Sequence, residues 1–214
     1  MKRKLFRKDI NKGDSSTDIK QVDDKASEQN TVVMYLHDLV YLLVGIMLVL
    51  LLVIRVVVVD GPSMNSTLVD GDYLLLISNV FYRNPQQGDV IVASKQAFKD
   101  GEPIIKRVIA TEGQEVDIDF LAGVVYVDGQ ALNETYTNTP TNLEEGIQFP
   151  VIVEEGCVFV MGDNRNKSKD SRSPEIGQID CREILGKAVF LIFPGEDLEQ
   201  GYNRDFRRLG VVAE

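Results

Sequence analysis

From Leu39 to Ile54 the chain carries sixteen consecutive uncharged residues, most of them Leu, Val, Met and Ile. Extended back to Val32, the run is twenty-three residues long and takes in His37 and Asp38. About twenty residues, each rising 1.5 Å, cross a hydrocarbon core of ~30 Å. The stretch therefore predicts a transmembrane helix over residues 32–55, with Asp38 near one interface and Arg55 marking the other. Against a buried core helix, the run is apolar on every face. Against a cleavable signal sequence, the polar leader is long and no small-residue A-x-A-like site follows.

A span divides the chain, and charge orients it. Residues 1–31 are polar, poor in apolar residues after Ile10, and read as a disordered tail. Their first dozen residues hold Lys2, Arg3, Lys4, Arg7, Lys8 and Lys12. By the positive-inside rule this tail stays in the cytoplasm and the residues after 55 are translocated. Residues 1–59 contain nine Lys/Arg and seven Asp/Glu; the remainder contain fourteen and twenty-six, a body near −12. Long domains cross a membrane largely regardless of charge, so the acidity does not oppose this orientation. It does exclude a nucleic-acid partner, which requires a basic face. The lipid bilayer is the partner that the apolar run predicts.

Beyond the span the chain reads as short strands. Val56–Val59 is β-branched four times running and opens the first. Residues 72–77, 89–93 and 103–110 are rich in β-formers and bounded by Gly, Asn, Asp or Pro. Val124–Val127, Asp128-Gly129 and Gln130–Leu132 make a hairpin with a type I′ turn signal. Residues 151–153, 157–161 and 186–192 continue the pattern. Residues 133–148 look like a polar surface excursion, and the Asn133-Glu134-Thr135 triplet carries no weight as a glycosylation sequon. The expected fold is mostly β: an antiparallel catalytic domain over 56–195 on one N-terminal transmembrane helix, with a C-terminal tail over 196–214.

Chemistry is narrowed first by what is missing. The single histidine, His37, lies at the start of the apolar run, so the β domain of one chain can form no Ser-His-Asp triad, Cys-His pair or His-ligated metal site. Cys157 and Cys181 lack Cys-x-x-Cys spacing and neighbouring histidines, which argues against zinc. One disulfide or two separate thiols both fit. Ser63 lies in Asp60-Gly61-Pro62-Ser63-Met64, on a tight turn eight residues after Arg55. An unactivated serine is a poor nucleophile and needs a base. Lys106 sits mid-strand between Ile104-Ile105 and Val108-Ile109, and on a strand it and Arg107 point to opposite faces. Burial lowers a lysine pKa, and a neutral amine can serve as base in Ser-Lys hydrolases. A surface lysine on an alternating strand has the same spacing, so the strand alone does not decide. The third stretch, Gly162 to Arg172, is dense in turn formers and hydrogen-bonding groups, and alone reads as a polar loop.

Together these stretches resemble the bacterial type I signal peptidases. Gly61-Pro62-Ser63-Met64 with Thr67-Leu68 and Gly71-Asp72 is similar to the family's nucleophile box, and Gly88-Asp89-Val90-Ile91-Val92 to the box that follows. Lys106-Arg107-Val108-Ile109 with Glu112-Gly113 resembles the box of the general-base lysine. Gly162-Asp163-Asn164-Arg165, Ser168 and Asp170-Ser171-Arg172 resemble the last, and Gly186-Lys187-Ala188 the family's ending. The matches keep the family's order over roughly residues 33–194.

The resemblance implies a single-span serine endopeptidase that removes signal peptides from exported preproteins after small, Ala-x-Ala-like residues, without a cofactor or metal. Ser63 is then the nucleophile and Lys106 the general base. Ser168 is the hydroxyl that orients the lysine by a hydrogen bond, and Arg107, Asp163, Asp170 and Arg172 brace the site. Met64, Leu68 and Ile105 flank the dyad as candidate pocket walls. One departure is Gly61, where some relatives have a serine that donates to the oxyanion hole; here the hole has to rely on backbone N–H groups. Other readings are a self-cleaving Ser-Lys peptidase of the SOS-repressor type, disfavoured by the span, and a catalytically silent β domain that binds signal sequences or partners. The intact Ser63, Lys106 and Ser168 disfavour the last.

Overall fold

The computed structural model describes residues 15–96, 98–196 and 203–212, with side chains from Thr31 onward apart from Lys99. The chain divides into two compact units, residues 1–50 and 51–214.

Helix α1 runs from Ser15 to Val53. Its segment Thr31–Val53, 23 residues, is long and apolar enough to cross a membrane, and every side chain from Thr31 to Leu52 is exposed. The helix begins earlier than the apolar run. Of the stretch expected to be a disordered tail, residues 1–14 lie outside the described residues and residues 15–31 are helical. Lys, Gln, Ala and Glu are good helix formers, and extending an existing helix avoids the cost of nucleation. At the other end α1 gives way at Ile54 to strand β1 (Ile54–Val58), where β-branched residues succeed one another and favour extended backbone.

The second unit is built of antiparallel strands. After β1 come β2 (Tyr73–Ser78), β3 (Val90–Ser94), β4 (Pro103–Thr111), β5 (Glu115–Asp119) and β6 (Val124–Val127). Then follow β7 (Gln130–Ala131), β8 (Val151–Ile152), β9 (Cys157–Met161), β10 (Ile179–Asp180), β11 (Ile184–Phe193) and β12 (Gly210–Val211). The larger sheet has the order β1-β2-β11-β3-β4-β9-β10, with β12 also on β11; the smaller has the order β7-β6-β5-β8. β5 was not foreseen, since Glu-Val-Asp-Ile-Asp is acidic at every second position. Only Val116 and Ile118 turn inward, at 0% and 6% exposure, which is the alternation of a half-buried strand.

Three groups of buried side chains form the core. Val59, Met64, Leu68, Leu74, Val92, Ile105 and Leu191 pack in one. Ile109, Val116, Val125, Phe159 and Met161 pack in a second, and Ile91, Val108, Val158, Val160 and Ile179 in a third. β9 feeds the last two from its opposite faces, so it is apolar throughout. At about 1.5–3 kcal/mol for each fully buried Val, Leu, Ile or Phe, these strands form a firm platform. The cysteines are free and half-buried. Cys157 packs with the second group and Cys181 with the third, as two free thiols.

This topology assigns the chemistry-bearing stretches their places. The β1–β2 connection carries Ser63. β4 carries Lys106, opposite Ile91 on β3, and Arg107, opposite Met161 on β9. The connection leaving β9 carries residues 162–172.

Candidate active site

The turn that presents Ser63 is tied down at nearly every residue. Val59 N–H donates to Asp72 O at 2.8 Å and Gly71 N–H to Val59 O at 2.9 Å, closing the loop at its base. Inside it, Gly61 N–H donates to Asp70 Oδ1 at 2.8 Å, and Leu68 N–H to Met64 O at 2.9 Å. Gly61 has φ of 85°, a left-handed conformation that glycine adopts without strain. From the far side, Asn164 donates its N–H to Ser63 O at 3.0 Å and its Nδ2 to Pro62 O at 3.0 Å.

Lys106 Nζ donates to Ser63 Oγ at 2.8 Å and to Ile105 O at 3.0 Å. Lys106 is only 5% exposed and Arg107 is fully buried, so neither member of this strand pair is an ordinary surface cation. Ser63 and Lys106 face a cleft of about 360 Å³, lined on one side by Val57 to Met64 and on the other by Pro103 to Lys106, with Phe98, Glu102 and Lys169. A larger hollow of about 610 Å³, lined by Asn65, Val69, Gly195 and Arg204 among others, contains neither Ser63 nor Lys106.

The residues expected to brace the site are buried as ion pairs. Arg107 grips Asp163 through Nε–Oδ1 and Nη2–Oδ2, both 2.8 Å, and Nη1 donates to Gly88 O at 2.7 Å. Asp163 also accepts from Thr67 Oγ1, which joins the ion pair to the Ser63 loop. Arg172 holds Asp170 at 2.8 and 2.9 Å, and Asp170 Oδ2 accepts from Gly162 N–H at 3.0 Å. Breaking such a pair leaves an uncompensated buried charge, at a cost of about 3–5 kcal/mol.

Two expectations need correction. Ser168 is 1% exposed, but its Oγ is buried with no hydrogen-bond partner, so the expected bond to Lys106 is not formed. The hydroxyl lies against Gly162, where an ideal Cβ would fall 2.2 Å from Ser168 Oγ and 2.5 Å from Ser63 O. Leu68 is not a wall of the cleft, although Met64 and Ile105 are. The turn that bonds Leu68 N–H to Met64 O carries Leu68 into the core, at 2% exposure.

The 133–148 stretch proves to be part of the site's support. Glu134 takes both ends of Arg165, through Nη1 at 2.6 Å and Nη2 at 2.5 Å. Thr141 Oγ1 accepts from Arg165 Nη1 at 2.9 Å, and Tyr136 lies 4.0 Å from the Arg107 guanidinium carbon. Burial, and then the Glu134 carboxylate, push the Tyr136 phenol above its ordinary value, keeping a neutral ring over the cation. Nothing in the polar composition of 133–148 distinguished these contacts from a solvated loop.

The whole chain can now be set beside known proteins. Residues 32–193 match the family model described as signal peptidase, peptidase S26. The chain is 38% identical over 165 residues to a probable signal peptidase I-1 of Synechocystis, covering 71% of this chain and 80% of that one. It is 31% identical over 154 residues to a signal peptidase I of Bacillus licheniformis, covering 66% and 78%. A solved signal peptidase I from Enterococcus faecalis is 28% identical, covering 49% of this chain and 96% of that chain with a TM-score of 0.40. The matched span takes in the Ser63 turn, β4 and the loop after β9, and the chain belongs to the signal peptidase family, peptidase S26.

Proposed function

We propose that this serine peptidase is membrane-anchored and works through a Ser63–Lys106 dyad, cutting signal peptides from exported preproteins after small, Ala-x-Ala-like residues. The observation that carries this reading is the 2.8 Å contact between Lys106 Nζ and Ser63 Oγ at the floor of an open cleft. Surroundings that bury the amine disfavour its charged form. The neutral amine accepts the Ser63 proton as Oγ attacks the scissile carbonyl, then returns it to the leaving amine. Water hydrolyses the acyl-enzyme by the same proton path in reverse. Gly61 N–H is engaged by Asp70, so the oxyanion falls to backbone donors that include Ser63 N–H.

An extended substrate lies between the Val57–Ser63 and Pro103–Lys106 walls and hydrogen-bonds as an added strand. Met64 and Ile105 shape the side-chain pockets. Arg107, Asp163, Asp170 and Arg172 hold the loops that hold the dyad. The segment Thr31–Val53 of α1 spans the bilayer, with the residues before it in the cytoplasm and the β unit from Ile54 onward as the extracytoplasmic catalytic domain. The expected bounds 32–55 and 56–195 shift because Ile54 and Arg55 pair with β2. The expected tail over 196–214 is corrected, because β12 and Val212 join the sheet and core.

The test is incubation of the purified protein with a preprotein whose signal ends in Ala-x-Ala. Wild type releases the mature chain; Ser63→Ala and Lys106→Ala do not, while both keep the wild-type unfolding transition. Cleavage retained by either variant would falsify the dyad.

A further inference from the structure

The chain continues beyond residue 193, where the family match ends. Residues 203–212 return to the catalytic unit. β12 pairs with β11 at Phe190 and Leu191, Val212 N–H donates to Val189 O at 3.1 Å, and Val212 joins the core group containing Met64 and Leu68. Just before β12, the single 3-10 turn Phe206–Arg208 is capped by Asp205 and aims Arg208 at the Ser63 loop.

Arg208 forms a two-pronged pair with Asp72, Nη1–Oδ1 at 3.0 Å and Nη2–Oδ2 at 2.6 Å. Nη2 also donates to Thr67 O at 3.3 Å. Asp72 is fully buried; it also accepts from Val69 N–H at 2.8 Å and from Gly195 N–H at 2.7 Å. Gly195 leaves no slack: a Cβ there would fall 2.0 Å from Asp70 O. Thr67 and Asp72 belong to the loop that carries Ser63, and Thr67 Oγ1 is held from its other side by Asp163. The loop is therefore gripped by Asn164 and Asp163 on one flank and by the returning C-terminal segment on the other.

We propose that residues 203–212 are a strap on the nucleophile loop and that Arg208 is a positioning residue for Ser63. The proposal rests on Ser63 being the nucleophile. Arg208 does not line the cleft, so it acts through Thr67 and Asp72. Its side chain is the only one of the strap that neutralises the Asp72 carboxylate among the described residues. Without it, the buried carboxylate keeps its two backbone donors but loses its counter-charge, and the loop relaxes to hydrate it. A displacement of about 1 Å at a reacting atom is enough to cost roughly 10²-fold in rate.

The experiment measures kcat and KM on a preprotein, well below the unfolding midpoint, for full-length wild type, Arg208→Ala, Arg208→Lys, Arg207→Ala and Ser63→Ala. Arg208→Ala is expected to lose roughly 10- to 100-fold in kcat with KM little changed. Arg208→Lys, which restores the charge but not the two-pronged geometry, falls between. Arg207→Ala breaks only an exposed pair with Asp205 and keeps the wild-type kcat. An Arg208→Ala kcat within about twofold of wild type, or a change confined to KM, overturns the strap. If Arg208→Ala does not fold, Arg208→Gln is read by the same criteria. Cleavage by Ser63→Ala overturns the nucleophile reading itself; an inert Ser63→Ala beside a fully active Arg208→Ala overturns the strap alone.

Discussion

Ser63 and Lys106 are forty-three positions apart and meet at 2.8 Å, which makes proton transfer between them a matter of protonation state. Only the free amine accepts a proton, so kcat/KM is expected to climb about tenfold per pH unit along its acid limb and then level off. A profile flat from acid to neutral pH removes Lys106 from the role. Ser168 offers a second residue-level expectation. Its buried Oγ has no partner, and an unsatisfied buried polar group costs about 1–3 kcal/mol. Ser168→Ala should therefore unfold at the same temperature as wild type or higher, read by calorimetry; a drop of several degrees means that the hydroxyl is bonded in solution. The expectation that Ser63 and Lys106 work together rests on the motif resemblance, since the turn alone and the strand alone leave it open; the structure places the two groups in contact. The missing Ser168 bond was not legible, because it depends on how closely Gly162 lets the two loops approach. Leu68 was misplaced for a similar reason: only the bond from Leu68 N–H to Met64 O shows which way that turn faces.

At the scale of elements, the site is made by loops pinned to one another. The excursion 133–148 supplies Glu134 to Arg165 across 31 residues of sequence, and a pair of that separation leaves no local periodicity to read. Strands with strong β-formers were legible by contrast, while acidic β5 and the short β12, which gains its order from β11, were not. Removing Glu134 strands a guanidinium that is 1% exposed. Glu134→Ala is expected to destabilise the protein by about 3–5 kcal/mol, seen as a lower urea midpoint with an unchanged slope. In the same excursion Glu145 donates nothing but accepts Asp170 N–H at 3.3 Å. Burial, and then the charge of Asp170, push its carboxyl above the ordinary range. A raised acid favours the folded state when protonated, and that advantage is lost as pH rises through the folded pKa. Glu145→Gln should then be at least as stable as wild type at neutral pH, with the difference shrinking below the ordinary carboxylate range. A variant less stable than wild type at neutral pH contradicts this balance.

Across the whole molecule, a helix with 23 residues of membrane-crossing composition precedes a β unit that contains all the proposed chemistry. The apolar helix was the most legible element because its length and apolarity are properties of composition, independent of any distant partner. Its proposed contribution is concentration. Confining enzyme and preprotein to one membrane makes their encounter effectively intramolecular, a gain of roughly 10²–10⁴ where the geometry permits both to engage. Residues 51–214 form a compact unit that retains β1, whose five pairs with β2 begin at Ile54. Expressed without the span, that unit should cleave a short soluble peptide at a rate close to the full chain's. Against a preprotein in vesicles it should be slower by roughly 100-fold or more. Equal loss on both substrates would mean that the helix supports the fold of the catalytic unit, and equal retention on both would mean that anchoring contributes nothing to the encounter. Starting instead at Gly61 deletes β1 and exposes the edge of β2, so that shorter form is expected to lose activity on the soluble peptide as well.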